Sequence, residues 1–229
     1  MKNIIFDTWL INGNITVFCG PHEDSFKKDI LSSSLFGELV ASKKSDNPVV
    51  SWPTYTATVQ KIGWMGNSRG NQRLDFENSS LLSLIGECAG STLSKDERQA
   101  LTNAWGHLTN LQPDSPAIRA IVEKLQRNAT VSESNPHATA STAALLTIIR
   151  NDKTVVTLQV TFETTHELES ELLVQPVLNA INNDQTNSWQ LCCLLDERYY
   201  NEIREDVLKK LGCKIETKLL HIPAPPDLN

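Results

Sequence analysis

Cys19-Gly-Pro-His22 holds the residues of this chain best suited to covalent chemistry. A thiol at a strand end, just ahead of a helix, lies near the positive end of the helix dipole, which favours thiolate. His22 is close enough to act as its base if Gly20-Pro21 folds the chain back. The plainer reading is a buried strand cysteine followed by an ordinary turn, because no third group stands nearby to orient the imidazole.

The remaining reactive side chains are dispersed. Cys192 and Cys193 are neighbours on a predicted strand, so they take opposite faces and cannot jointly hold a metal. Cys213 follows Gly212, an expected helix stop, and is a candidate for acylation or oxidation, with strand packing as the plainer role. The run His166-Glu-Leu-Glu-Ser-Glu171 lacks the second histidine of H-E-x-x-H and reads as a solvated turn or helix start. His107, His137 and His221 share no spacing that links them. No metal and no cofactor is expected. The glycine-rich stretch Gly63–Gly70, GWMGNSRG, matches neither phosphate-loop pattern and reads as a plain loop, with Arg69 and Arg73 as candidates to meet an anion. Trp52 and Trp64 flank a short predicted helix and are candidates for an apolar binding patch.

A chain of 229 residues, 40% hydrophobic and 21% charged, has the composition of a globular protein. It is read as a single α+β domain over residues 1–229. A net charge of -6, with Lys-Lys pairs scattered at 27–28, 43–44 and 209–210, argues against nucleic acid as a partner. The opening MKNIIFDTWLING is interrupted by Asp7 and followed by no small-residue cleavage site, so no export signal is expected. No window suits a transmembrane helix. Five cysteines without framework spacing point to free thiols and a cytoplasmic setting, with signal-independent export left open.

The elements that must position these residues follow from periodicity. Alternation over the first residues and Asn12-Gly13 predict a hairpin over 3–19. A mainly helical stretch is expected over 24–127. Its helices run from Asp24 to about Lys43, from a Ser51 cap, over Ser80–Ala89, from the capping box Ser94-Lys-Asp-Glu97, and from Ser115-Pro116. RLDFE is read as a short strand, and residues 128–140 as a loop. The 142–222 stretch is β-rich, with SWQLCCLLD and CKIETKLLHI as strands around a helix capped by Asp196 and stopped at Gly212.

The clearest pattern is TAALLTIIRNDKTVVTLQVTFETT, residues 142–165, two alternating strands around the turn Arg150–Lys153. Val156, Leu158, Val160 and Phe162 share one face, and Thr157, Gln159, Thr161 and Glu163 the other. The apolar face is expected to receive the helices carrying Leu101–Leu108 and Ile118–Leu125. The fold expected is therefore α+β, an antiparallel sheet built largely from the C-terminal half and packed with five to six helices in layers.

SSSLFGELVASKK, WPTYTATVQKIGW and YYNEIREDVLKKLG resemble segments of uncharacterised microbial proteins of similar size. The resemblance implies a shared α+β fold and no activity. With no motif joining nucleophile, base and oxyanion donor, catalysis is not the leading expectation. The leading one is binding or assembly with a protein or lipid partner, or with a second copy of the chain. The alternatives are a membrane-active or lipid-binding effector using the 142–165 hairpin, and a thiol enzyme using Cys19 and His22.

Overall fold

Asn12 and Gly13 take φ values of 52° and 88°, the double left-handed turn that joins two strands without splaying them. They link β1 (Phe6–Ile11) to β2 (Asn14–Cys19) in the expected hairpin. The computed structural model describes residues 5–74, 80–90, 93–131, 140–164, 173 and 186–224. After β2 come α1 (Asp24–Ser42), α2 (Pro48–Lys61), β3 (Trp64–Leu74), α3 (Leu81–Gly90), α4 (Lys95–Thr109) and α5 (Pro116–Asn128). The rest of the chain adds β4 (Thr130–Val131), β5 (Ala140–Ile149), β6 (Val155–Thr164), β7 (Thr186–Leu195), α6 (Glu197–Leu211), α7 (Lys214–Lys218) and β8 (Leu219–Ile222).

The helices start where cap chemistry says they start. Ser94 accepts from the Glu97 amide while the Glu97 carboxylate accepts from the Ser94 amide. Ser115 caps α5 with Pro116 at its first turn, and Asp196 caps α6. α2 begins earlier than the Ser51 cap suggested. Asn47 accepts from the amides of Val49 and Val50, and Pro48 occupies the first turn.

The sheet is mixed rather than antiparallel, in the order β3-β7-β6-β5-β2-β1-β8, with β4 also paired to β5. β2 and β5 run parallel, Ile15 to Phe18 beside Leu146 to Ile149. The intervening helices supply the long crossover that a parallel pair requires. Three of the eight strands come from the first half of the chain, so the C-terminal half does not build the sheet alone. Seven helices form among the described residues, one more than the upper expectation, the addition being α7.

Three local expectations change. GWMGNSRG is not a loop; from Trp64 it is the start of β3, whose backbone pairs with β7 from Trp64–Leu195 to Leu74–Thr186 across one irregularity between Gly66 and Ser68. Only Ile62-Gly63 turns, with Gly63 at φ 101°. CKIETKLLHI is strand only from Leu219, because β1 offers partners from Thr8 to Ile11 alone, and residues 214–218 coil as α7. Thr130 and Val131 leave the predicted loop to pair with Ser141 and Ala140.

Helices cover both sheet faces. One core cluster joins Leu101, Leu108, Ile118 and Leu125 to Val156, Leu158, Val160 and Phe162. Within it α3 lies over β6, α5 over β5, and α4 over β1 and β2. The other cluster joins Phe26, Ile30, Leu35, Tyr55, Val59, Tyr200 and Val207 to Phe18, Ile149, Val155, Leu191 and Cys193. The central strands therefore lie between two helical layers.

Candidate functional site

The central hairpin, β5 and β6, is paired over ten residue pairs, from Ala140–Thr164 to Ile149–Val155. Val156, Leu158, Val160 and Phe162 are buried among apolar side chains, as their period requires. The centre of the opposite face is buried too: Thr147, Thr157 and Gln159 retain 3%, 0% and 1% of their surface, while Leu145 and Thr161 are half-buried. Strands covered on both faces ordinarily read as continuous apolar runs. Here a polar row persists under the second helical layer, with Thr16, Thr147 and Thr157 side by side across β2, β5 and β6. The Thr147 and Thr157 hydroxyls face each other at 3.4 Å. Thr16 Oγ1, Asn14 Nδ2 and Gln159 Nε2 are buried without a hydrogen-bond partner among the described groups. Asn14 and Gln159 border a crevice shared with Glu38, Trp52, Tyr55 and Lys124.

The hairpin tip is clamped to both layers. Glu97 of α4 accepts from Arg150 Nε at 3.2 Å and from the Asn151 amide at 3.1 Å, while still completing its capping box. On the other side Lys153 pairs with Glu197 of α6 at 2.6 Å and lies 4.7 Å from the Phe26 ring centre. The Asn151 side chain fills the space that a Cβ on Gly20 would take, and Gly20 has φ 85°. Glycine at position 20 thus seats the tip. Across the sheet end near the β1–β2 turn, Lys124 of α5 pairs with Glu38 of α1, joining the layers a second time.

Cys19 and His22 do not form a nucleophile and its base. Cys19 is fully buried, with its thiol directed at the Glu97 carbonyl oxygen, 3.8 Å away, and burial with the nearby Glu97 charge pushes its pKa up to about 12. His22 follows the other face. Its Nε2–H donates to the Cys19 carbonyl at 3.1 Å, and its ring stacks on Phe26 and meets the edge of Phe18. Consecutive strand residues point opposite ways, so Phe18 takes the His22 side and the thiol takes the α4 side. Burial lowers the His22 pKa, keeping the imidazole neutral.

Trp52 and Arg69 share one groove, of about 460 Å³, between α2 and the β3–β7 edge, together with Trp189. Arg69 Nη2 donates to Gln60 Oε1 at 2.8 Å. Trp64 is not part of any surface patch; it is 1% exposed and its indole N–H donates to Ser33 Oγ at 3.0 Å. The Arg73 backbone pairs with Asn187 in β3, and its side chain lies outside the described residues. Cys213 is exposed on the turn between α6 and α7. Cys192 and Cys193 take opposite faces, as their adjacency requires. The residues 166–171 and His137 lie outside the described residues. Among those described, no group of three or more His, Cys, Asp and Glu side chains could hold a metal ion.

Sequence reasoning missed a second cluster. Asp7 accepts from Lys27 Nζ at 2.7 Å, Trp9 Nε1 at 3.1 Å and His221 Nε2 at 2.7 Å, and Trp9 packs on the His221 ring. Burial raises the Asp7 pKa, and the bonds from Lys27, Trp9 and His221 more than reverse this, leaving it below the ordinary value. Beside the cluster lie two adjoining grooves, of about 760 and 620 Å³, which share Trp9, Lys28 and Leu31. Their walls come from both ends of the chain, and no local spacing announces them.

No protein-family model matches this chain, and no curated protein sequence does. Among solved structures it is similar to the activated Cyt2Ba monomer from Bacillus thuringiensis subsp. israelensis, with 14% identity and a TM-score of 0.42, over 80% of this chain and 98% of that one. It is also similar to the Evf virulence factor, with 8% identity and a TM-score of 0.37, over 91% of this chain and 82% of that one. Likenesses of this strength assign neither an activity nor a site.

Proposed function

We propose that the protein is a membrane-active effector that carries its amphipathic β5–β6 hairpin covered in the folded form. The observation that carries this reading is the polar row beneath α1 and α2. β6 keeps a period-two polarity although it is covered on both faces, its Thr157 and Gln159 lying beneath the helices in line with Thr16 and Thr147, and Thr16, Asn14 and Gln159 bear unpartnered polar atoms there. With the helices moved aside, β6 would present Val156, Leu158, Val160 and Phe162 to lipid and Thr157, Gln159 and Thr161 to water. At ten residues each, β5, β6 and β7 have the length of membrane-crossing strands. Among the described residues no helix is long and apolar enough to cross a membrane. Cys213, exposed on its turn, is the acylation candidate that such a protein could use for attachment.

Dye release and flotation with neutral phosphatidylcholine vesicles and with vesicles containing phosphatidylglycerol test the reading. Wild type is expected to float with vesicles and release dye. Gln159→Leu, which removes the unpartnered amide, is expected to be more stable by about 1–2 kcal/mol and to release dye more slowly. Wild type that neither floats nor releases dye with either vesicle ends the reading.

A second reading, binding or assembly through the sheet edge, is favoured by β3. Its eleven residues form an edge strand with Met65, Ser68, Arg69, Gly70 and Asn71 exposed, beside the groove of Trp52, Arg69 and Trp189. Such an edge can add a strand from a partner or from a second copy. Light scattering tests assembly: a dimer that Gly70→Pro dissolves supports it, and a monomer at every concentration removes it.

A further inference from the structure

The groove of about 620 Å³ between α1, α6 and α7 is lined by both apolar and polar side chains. Its walls are Trp9 from β1, Leu31 from α1, Leu208 from α6, Ile215 from α7 and Leu219 from β8. Five apolar side chains from five elements converge there, with a volume in the range of small-ligand sites. Its polar lining comes from Ser25, Lys28, Asp29, Ser32 and Arg204, of which Asp29 and Ser32 are buried. Asp29 and Arg204 are closed on each other through two bonds, of 2.8 and 2.7 Å, so neither leaves a net charge. The Ser32 hydroxyl is engaged with Tyr200 at 2.8 Å. Lys28 is different: among the described residues no acid pairs with its ammonium, and it stands with Trp9 and Leu31 where this groove meets the neighbouring one.

That neighbouring groove adds His22, Asp24, Lys27 and His221, with Lys27 and His221 already bound to Asp7. At the junction Lys28 is the cation with no paired acid among the described residues, beside the apolar groove, and the exposed Asp24 lines the neighbouring one. A purely apolar occupant would leave Lys28 unused, and a small anion would leave the apolar groove unfilled. A molecule with one anionic end and one hydrocarbon chain uses both.

We propose that this groove binds a single-chain anionic amphiphile, its headgroup against Lys28 and its chain along Trp9, Leu31, Leu208, Ile215 and Leu219. The site belongs to the covered, folded form and does not require the central hairpin to open, so it stands or falls separately from membrane insertion. A carboxylate and a phosphate headgroup satisfy Lys28 alike, and the chain can come from a free fatty acid or from a bilayer lipid.

The full chain is titrated with monomeric dibromostearate, whose bromines quench indole fluorescence on contact, and with dibromostearyl alcohol as the uncharged control. Saturable one-to-one quenching by the acid is expected, and Trp9→Phe is expected to remove most of it. Lys28→Glu is expected to weaken the acid about fivefold or more, the effect of losing one partly exposed ion pair, while leaving the alcohol unchanged. Ile215→Glu, on a half-buried wall position, is expected to weaken both ligands, with near-ultraviolet dichroism reporting that the fold is intact. Lysophosphatidic acid competing with the acid would extend the site to phosphate headgroups; failure to compete would confine it to carboxylates and overturn the shared-headgroup claim. Absence of saturable binding, quenching that survives Trp9→Phe, or equal loss of acid and alcohol in Lys28→Glu overturns the site. So does Lys28-dependent binding seen only with phosphatidylglycerol vesicles, which would place the cation on a membrane-facing surface instead. Because these titrations contain no bilayer, their failure leaves the dye-release test untouched, and the reverse also holds.

Discussion

Replacing Glu97 with alanine tests whether the hairpin tip is held from the helical layer as the structure indicates. The carboxylate is 3% exposed and accepts three bonds, from the Ser94 amide, the Asn151 amide and Arg150 Nε. Loss of the capping box alone costs about 1 kcal/mol. The Asn151 amide would lose its partner, and a charge-assisted bond to Arg150 would go with it. Arg150 keeps 26% of its side chain exposed and can regain water, which holds the total below that of a fully buried pair. The expected loss is about 3–4 kcal/mol, and about half of that for Glu97→Gln, which keeps the shape and one acceptor. Urea unfolding at pH 7, followed by tryptophan fluorescence, measures both values. The pH dependence supplies an independent check. Burial would raise the Glu97 pKa, but the amides of Ser94 and Asn151, the Ser94 hydroxyl and Arg150 outweigh it and hold the group below its ordinary value of 4.5. The unfolded chain therefore takes up its proton at higher pH than the folded one. The stability Glu97 contributes is full above pH 4.5 and is lost as pH falls through the folded value. The gap between wild type and Glu97→Gln should close over that acid window. A loss under about 1 kcal/mol for Glu97→Ala, or no coupling between Glu97→Ala and Arg150→Ala in a double-mutant cycle, refutes the clamp.

Other outcomes follow from the same geometry. Thiol labelling at neutral pH is expected to show one fast cysteine, abolished by Cys213→Ser, because Cys19, Cys88 and Cys193 are buried with pKa values pushed up to about 12, 11 and 11, and Cys192 is half-buried beneath the Gln190 amide. A fast phase that persists in Cys213→Ser and disappears in Cys19→Ser would restore the thiol-enzyme reading. Gly20→Ala is expected to cost more than about 2 kcal/mol, since a Cβ there carries a positive φ and collides with the Asn151 side chain. Thermal unfolding that matches wild type would show that the tip is not seated on Gly20. Arg204→Ala strands the buried Asp29 carboxylate and is expected to cost about 3 kcal/mol, with most of the loss recovered in Asp29→Asn, Arg204→Ala. Equal loss in the single and double variants would contradict a stranded charge.

Local chemistry was legible wherever a residue type has one outlet. The turn at Asn12-Gly13, the caps at Ser94, Ser115 and Asp196, and the alternation of Val156 to Phe162 all appear in the fold as their residue types require. The GWMGNSRG stretch misled because glycine weakens a strand without forbidding it, and a partner strand, β7, outweighed the local preference. The Cys19–His22 pair misled for a geometric reason: closeness along the chain does not survive the alternation of a strand. Conversely, the capping box at Glu97 revealed a helix start, and its second duty toward Arg150, 53 residues away, could not be read from spacing.

The sequence by itself determined the alternating hairpin, because side-chain period is a property of the backbone and needs no partner to be seen. It also determined that the second strand of that hairpin would set Val156, Leu158, Val160 and Phe162 on one face and Thr157, Gln159, Thr161 and Glu163 on the other. Only the tertiary structure decided that both faces would be covered, since the second layer is built from α1, α2 and α6, whose arrival depends on packing between distant segments. It alone placed Thr16, Thr147 and Thr157 in a single buried row, because register across β2, β5 and β6 is set by long-range pairing. It alone brought Trp9, Lys28, Leu208 and Leu219 to one groove. Period is local and therefore legible, whereas cover, register and convergence are contacts between residues far apart in the chain, and those become visible only when the chain has folded.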